Sequence, residues 1–170
     1  GAGKSVLCSM LAARILYREY HVIIVKLRDT IADHTVSQQV NEQIERDFAN
    51  GCLWSDIVGS SLKKSILIIF DGYDELLQAS GKTYSDYLQR IVEFQKEQKE
   101  IYGIFVKCIV TSRMTLIDKA MITNGSPVML LSDFDKERVN QWCLIWNEQN
   151  KKYFQQEKLD EFEVCGSQNI

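Results

Sequence analysis

The sequence contains no Cys-x-x-Cys pair, only two histidines and no excess of positive charge. Each absence removes a class of function. His21 and His34 have no partners at metal-ligand spacing, so no zinc module is expected. The five cysteines (Cys8, Cys52, Cys108, Cys143 and Cys165) are odd in number and do not suggest a disulfide framework. Cys8 and Cys108 lie in apolar runs, which predicts buried free thiols in a reducing cytosol. With 20 Lys and Arg against 23 Asp and Glu, the formal net charge of −3 offers no basic face for nucleic acid. No apolar run approaches the length of a membrane span, and no signal peptide is expected. A cytoplasmic protein is expected.

What is present is a core. A chain of 170 residues with 45% apolar content suffices for an α/β domain. Residues 4–20 carry Val6, Leu7, Met10, Leu11, Ile15 and Leu16 near helical spacing, and residues 21–27 (HVIIVKL) read as a strand. Residues 35–49 read as a polar surface helix. Asn50-Gly51 breaks it, and a short amphipathic piece runs from Leu53 to Leu62. Ile66-Leu67-Ile68-Ile69-Phe70 is apolar without alternation, as in a central parallel strand covered on both faces. Residues 84–100 read as a helix with Tyr87, Leu88, Ile91, Val92 and Phe94 inward. Residues 104–110 form a further strand, and residues 116–121 a short helical piece. After a turn at residues 124–127, residues 128–131 predict a last strand. Asp133 or Asp135 then caps a helix whose Trp142 and Trp146 are expected in the core.

The chemistry sits at the strand ends. Gly1-Ala2-Gly3-Lys4-Ser5 reads as the closing half of a phosphate-binding loop, G-x-x-x-x-G-K-[S/T]. There the backbone N–H groups at a helix start face the anion. Lys4 reaches the β- and γ-phosphates, and the Ser5 hydroxyl takes a place on Mg²⁺. Gly81-Lys82-Thr83 has the same form, but no apolar strand leads into it, and it reads as a turn. Asp71 ends the central strand, where ligands bind in parallel sheets, and suits a Walker B aspartate on Mg²⁺. Asp74 and Glu75 follow at three and four positions. They suit a carboxylate that orients water, or equally an acidic helix N-terminus. Thr111-Ser112-Arg113 ends the next strand, where a polar residue and an arginine can sense a γ-phosphate; the commoner role of an arginine is pairing with a surface acid.

GAGKS, ILIIFDGYDEL and CIVTSR, in that order at strand-to-loop junctions, resemble the NACHT family of STAND-class NTPases, relatives of the AAA+ proteins. A glycine directly after the Walker B aspartate, followed by x-Asp-Glu, is that family's mark. The resemblance implies a three-layer P-loop NTPase fold of the ASCE type. Its parallel sheet would lack the first strand here, residues 1–132 forming the nucleotide-binding core and residues 133–170 the start of a helical subdomain. It implies a chain cut from a larger protein, with the missing strand between those of residues 104–110 and 128–131, and so a chain that binds nucleotide poorly alone. It further implies ATP and Mg²⁺ as ligands and slow hydrolysis as a switch. The partners implied are like copies, through homo-oligomerisation, and effector and sensor domains outside this chain. The alternatives are an AAA+-like turnover ATPase and a nucleotide-binding scaffold without hydrolysis. No Asn-Lys-x-Asp guanine reader and no ABC signature segment is present.

Overall fold

The computed structural model of the chain describes residues 3–15, 19–48, 51–60, 65–80, 85–117, 121–158, 160 and 162. In chain order it forms α1 (Lys4–Arg14), β1 (Tyr20–Lys26), α2 (Val36–Asp47), α3 (Trp54–Ser60), β2 (Ser65–Asp71) and α4 (Tyr73–Ser80). There follow α5 (Tyr87–Tyr102), β3 (Val106–Val110), α6 (Met114–Ile117) and α7 (Lys136–Glu157). Contacts divide the chain into two units, Gly3–Val128 and Met129–Ile170.

In the first unit the three strands form an open parallel sheet in the order β1-β2-β3. Tyr20 pairs with Ser65 and Lys26 with Asp71, while Ile66 pairs with Val106 and Phe70 with Val110. The central place of β2 follows from its composition, since Ile66 to Phe70 are all buried. Successive side chains point to opposite faces. Ile66, Ile68 and Phe70 enter the larger core with residues of α2, α3, α4 and α5. Leu67 and Ile69 face the other way, onto Cys8, Leu11 and Ile15 at α1. The result is a layered α/β arrangement with α1 alone on one face among the described residues.

The helices on the larger face are fixed by matched polar groups as well as apolar stripes. Thr35 and Gln38 form a capping box at the start of α2. Val36, Val40 and Ile44 recur at four-residue spacing toward the core. Gln39 is fully buried; it donates to the Ile31 carbonyl at 3.2 Å and accepts the Tyr87 hydroxyl at 2.7 Å. The Trp54 indole donates to Gln98 at 2.7 Å. Such pairing is what permits polar groups in a core. Burial pushes the Tyr87 phenol well above its ordinary range, so it stays a donor.

Three expectations are corrected. Residues 128–131 do not form a strand, and Val128, Met129, Leu130 and Leu131 are exposed. A strand needs a neighbour to share its ladder, and β3 pairs only with β2 among the described residues. On α1 the inward residues are Cys8, Leu11 and Ile15, whereas Val6, Leu7 and Met10 are exposed. Apolar side chains lie all round this helix, and only one stripe meets the sheet. In the second unit Trp142 and Trp146 are not core. They are 45% and 41% exposed and stack on each other with ring centroids 5.2 Å apart. The buried residues of α7 are instead Cys143, Asn147 and Phe154. Asn147 exchanges two hydrogen bonds of 3.0 Å with the Phe162 backbone. Asp135 is the residue that caps α7. Among the described residues no helix is long and apolar enough to cross a membrane.

Ile68→Ala should cost about 2–5 kcal/mol in urea unfolding, because the cavity is sealed between two layers. Met10→Ala, on the uncovered side of α1, should stay within about 0.5 kcal/mol. Equal losses would show that α1 lies on the sheet by a different face.

Candidate functional site

The carboxyl end of β2 is where the polar residues gather. α1 begins beside it with Gly3, whose φ of 75° is left-handed and which brings no side chain to cap the helix. The first bond within the helix runs from the Leu7 N–H to the Gly3 carbonyl at 2.9 Å. The N–H groups of Lys4, Ser5 and Val6 therefore open outward from the helix start. One turn on, the Cys8 thiol donates to Asp71 Oδ1 at 3.6 Å. Lys4 shares that helix face with Cys8, about 6 Å further up the axis. Its charge is felt at the thiol.

Asp71 is held from β3 as well. The Thr111 hydroxyl donates to Asp71 Oδ1 at 2.6 Å and accepts the Gly72 N–H at 3.0 Å. The Thr111 N–H donates to the Phe70 carbonyl, and the Thr111 carbonyl accepts the Tyr73 N–H, both at 2.9 Å. Gly72 itself has a φ of 89°, and a Cβ there would stand 3.1 Å from Glu75 Oε2. The left-handed backbone favours glycine, and an added Cβ would press on the flexible end of Glu75.

Asp74 and Glu75 open α4, the acidic first turn that a helix dipole favours. Their surroundings differ. Asp74 is buried; its Oδ1 accepts the Arg113 N–H at 3.2 Å, and its Oδ2 lies 2.9 Å from Arg113 Nε. Its side chain is 2% exposed against 56% for Arg113. A carboxylate so engaged has little capacity left for a water molecule. The Glu75 carboxylate folds over Gly72 and is held by no hydrogen bond or ion pair among the described residues.

Of the residues singled out in the sequence, Lys4, Asp71, Asp74, Glu75 and Arg113 lie around this end of the sheet. Ser5 shares an exposed flank of α1 with Ser9, and no hydrogen bond joins it to Asp71 among the described residues. Gly1, Ala2 and the whole Gly81-Lys82-Thr83 segment lie outside the described residues, as does Cys165. Cys8 was missed, and the sequence groups Thr111 with Ser112 and Arg113 as a phosphate sensor rather than as a partner of Asp71. Cys8 is the residue one turn after Lys4. Thr111 is the next step after the Phe70–Val110 pair, which puts it opposite Asp71. Helical spacing and parallel register carry those two signals.

No group of three or more His, Cys, Asp or Glu gathers to hold a metal ion among the described residues. Mg²⁺ is ordinarily held by one or two carboxylates together with substrate phosphates and water. A single oriented Asp71 beside an open helix start fits an ion that arrives with a nucleotide. No protein-family model matches the chain, and no curated protein sequence does.

Burial first, and then the Asp71 charge and hydrogen bond, push the Cys8 thiol up to about 11, against a smaller opposite pull from Lys4. Burial alone pushes Cys108 up to about 12. Both thiols stay protonated in the folded chain, while in the unfolded chain they ionise near 9. Their contribution to stability is therefore complete below pH 9 and is lost as pH rises toward 11 and 12. Urea midpoints measured from pH 8 to 11 should fall, and less steeply in a Cys8→Ala, Cys108→Ala double variant. Parallel curves would contradict this.

Proposed function

We propose that the chain is an ATP-binding switch module of the NACHT type, within a signal-transducing or defence NTPase that oligomerises on activation. The observation that carries this reading is the Cys8–Asp71 contact, since it puts the open start of α1 and Lys4 beside the acidic end of the central strand. An uncapped helix start and an ammonium suit the phosphates of a nucleotide, and the adjacent carboxylate suits the cation that accompanies them. Position relative to the parallel sheet supports it too.

The roles divide by environment. Gly1, Ala2, Gly3 and Lys4 receive the phosphates, and Asp71, with Ser5 at the helix start, takes the Mg²⁺ shell. When bound, the ion neutralises charge that develops on the phosphates. Glu75 orients water, because its carboxylate has no hydrogen bond or ion pair among the described residues. Asp74 serves Arg113: it grips the backbone N–H and Nε, which fixes the stem of an exposed guanidinium whose further nitrogens make no hydrogen bond among the described residues. Arg113 so held answers to the γ-phosphate, and hydrolysis removes its partner. Like copies, together with effector and sensor domains, are the partners of such a switch.

Calorimetry and single-turnover ATP cleavage on the full-length protein test this. Lys4→Ala should abolish ATP binding, and Lys82→Ala should leave it intact. Glu75→Gln should bind normally and cleave about 10²–10⁴-fold more slowly. Asp74→Asn should weaken both through Arg113. Equal losses from the two lysine variants would refute the site. Unaltered cleavage in Glu75→Gln would leave a different water-orienting residue, and no cleavage by the parent protein would leave a scaffold.

A further inference from the structure

The chain around Asp71 turns from strand to helix in two residues, and Thr111 braces every step of that turn. Its backbone N–H and carbonyl bond Phe70 and Tyr73, which extends the β2–β3 pairing past the end of both strands. Its hydroxyl has a separate task. Because it accepts the Gly72 N–H at 3.0 Å, its single proton is aimed away, and at 2.6 Å it reaches Asp71 Oδ1. The Cys8 thiol converges on the same oxygen from α1. Two donors from two elements thus hold Oδ1, and Oδ2 has no hydrogen bond among the described residues.

We infer that Thr111 is a positioning residue, whose hydroxyl holds the Asp71 carboxylate in one orientation and leaves Oδ2 for a cation. The purpose given to that orientation rests on the nucleotide reading above, whereas the orientation itself does not. An aspartate at a strand end has rotamers to choose from, and water competes for both oxygens. A short hydroxyl-to-carboxylate bond, charge-assisted, selects one of them. Outer-shell groups of this kind typically contribute 10–100-fold to metal affinity.

Thr111→Val keeps the shape and the two backbone bonds but removes the proton; Thr111→Ser keeps the hydroxyl. Two measurements on the full-length protein separate the claims. In ligand-free crystal structures, Asp71 should turn or adopt two conformers in Thr111→Val, and stay as in the parent in Thr111→Ser. In ATP binding titrated with Mg²⁺, the half-maximal Mg²⁺ concentration should rise about 10-fold in Thr111→Val and return to within about twofold in Thr111→Ser. Binding in EDTA should not change between them. Thr111→Cys, with a weaker donor, should fall between the two and carries the same test where Thr111→Val melts too low. An unmoved Asp71 in Thr111→Val overturns the positioning role. A moved Asp71 in a protein that binds no ATP with Mg²⁺ upholds that role and removes the nucleotide reading instead. A moved Asp71 with an unchanged Mg²⁺ requirement overturns the link from Oδ2 to a cation.

Discussion

Everything in the first unit depends on β2 being buried on both faces. Ile66, Ile68 and Phe70 need one layer of helices, and Leu67 and Ile69 need another. No edge position could satisfy both sets, so the strand lies between β1 and β3 with helices above and below. The polar groups must then wait until the strand leaves the core. Asp71, only partly buried, is the first residue to do so. The place of the site is thus a consequence of where five apolar side chains stop.

At that boundary two carboxylates three residues apart are handled in different ways. Asp71 receives two neutral donors and keeps one oxygen without a hydrogen bond among the described residues. Asp74 is taken out of water and matched with a charged partner from the next loop. Removing Arg113 would strand the buried Asp74 charge, although the guanidinium itself is largely exposed. The Arg113 loop and the start of α4 are therefore held together as one piece. Thr111 ties the same piece to β2, so the polar end of the sheet is braced at Thr111 and Arg113 from the segment that follows β3.

Much of this was legible in residue order. An unbroken apolar run followed by aspartate gave the central strand and its polar end, and the flanking runs at residues 21–27 and 104–110 gave its neighbours. Other features depend on distances that no pattern carries. The apolar residues of α1 lie on more than one side, so periodicity alone did not choose Cys8, Leu11 and Ile15 over Val6 and Met10. Residues 128–131 have strand-like composition, but pairing is a property of two segments. The Trp142–Trp146 spacing suits burial as well as it suits a mutual stack. Asp74 and Glu75 both suited a carboxylate that orients water or an acidic helix start, and no pattern in the sequence carries the pairing of Asp74 with Arg113.

The most direct measurement is amide hydrogen exchange on the full-length protein, with and without ATP and Mg²⁺. Nucleotide at this site predicts new protection in the first turn of α1, from Lys4 to Leu7, and in residues 71–75 and 111–113. The protection should vanish when Mg²⁺ is withheld from residues 71–75 but persist in part at α1. Protection confined to other segments, or none at all at saturating ATP, would contradict a phosphate site between α1 and β2.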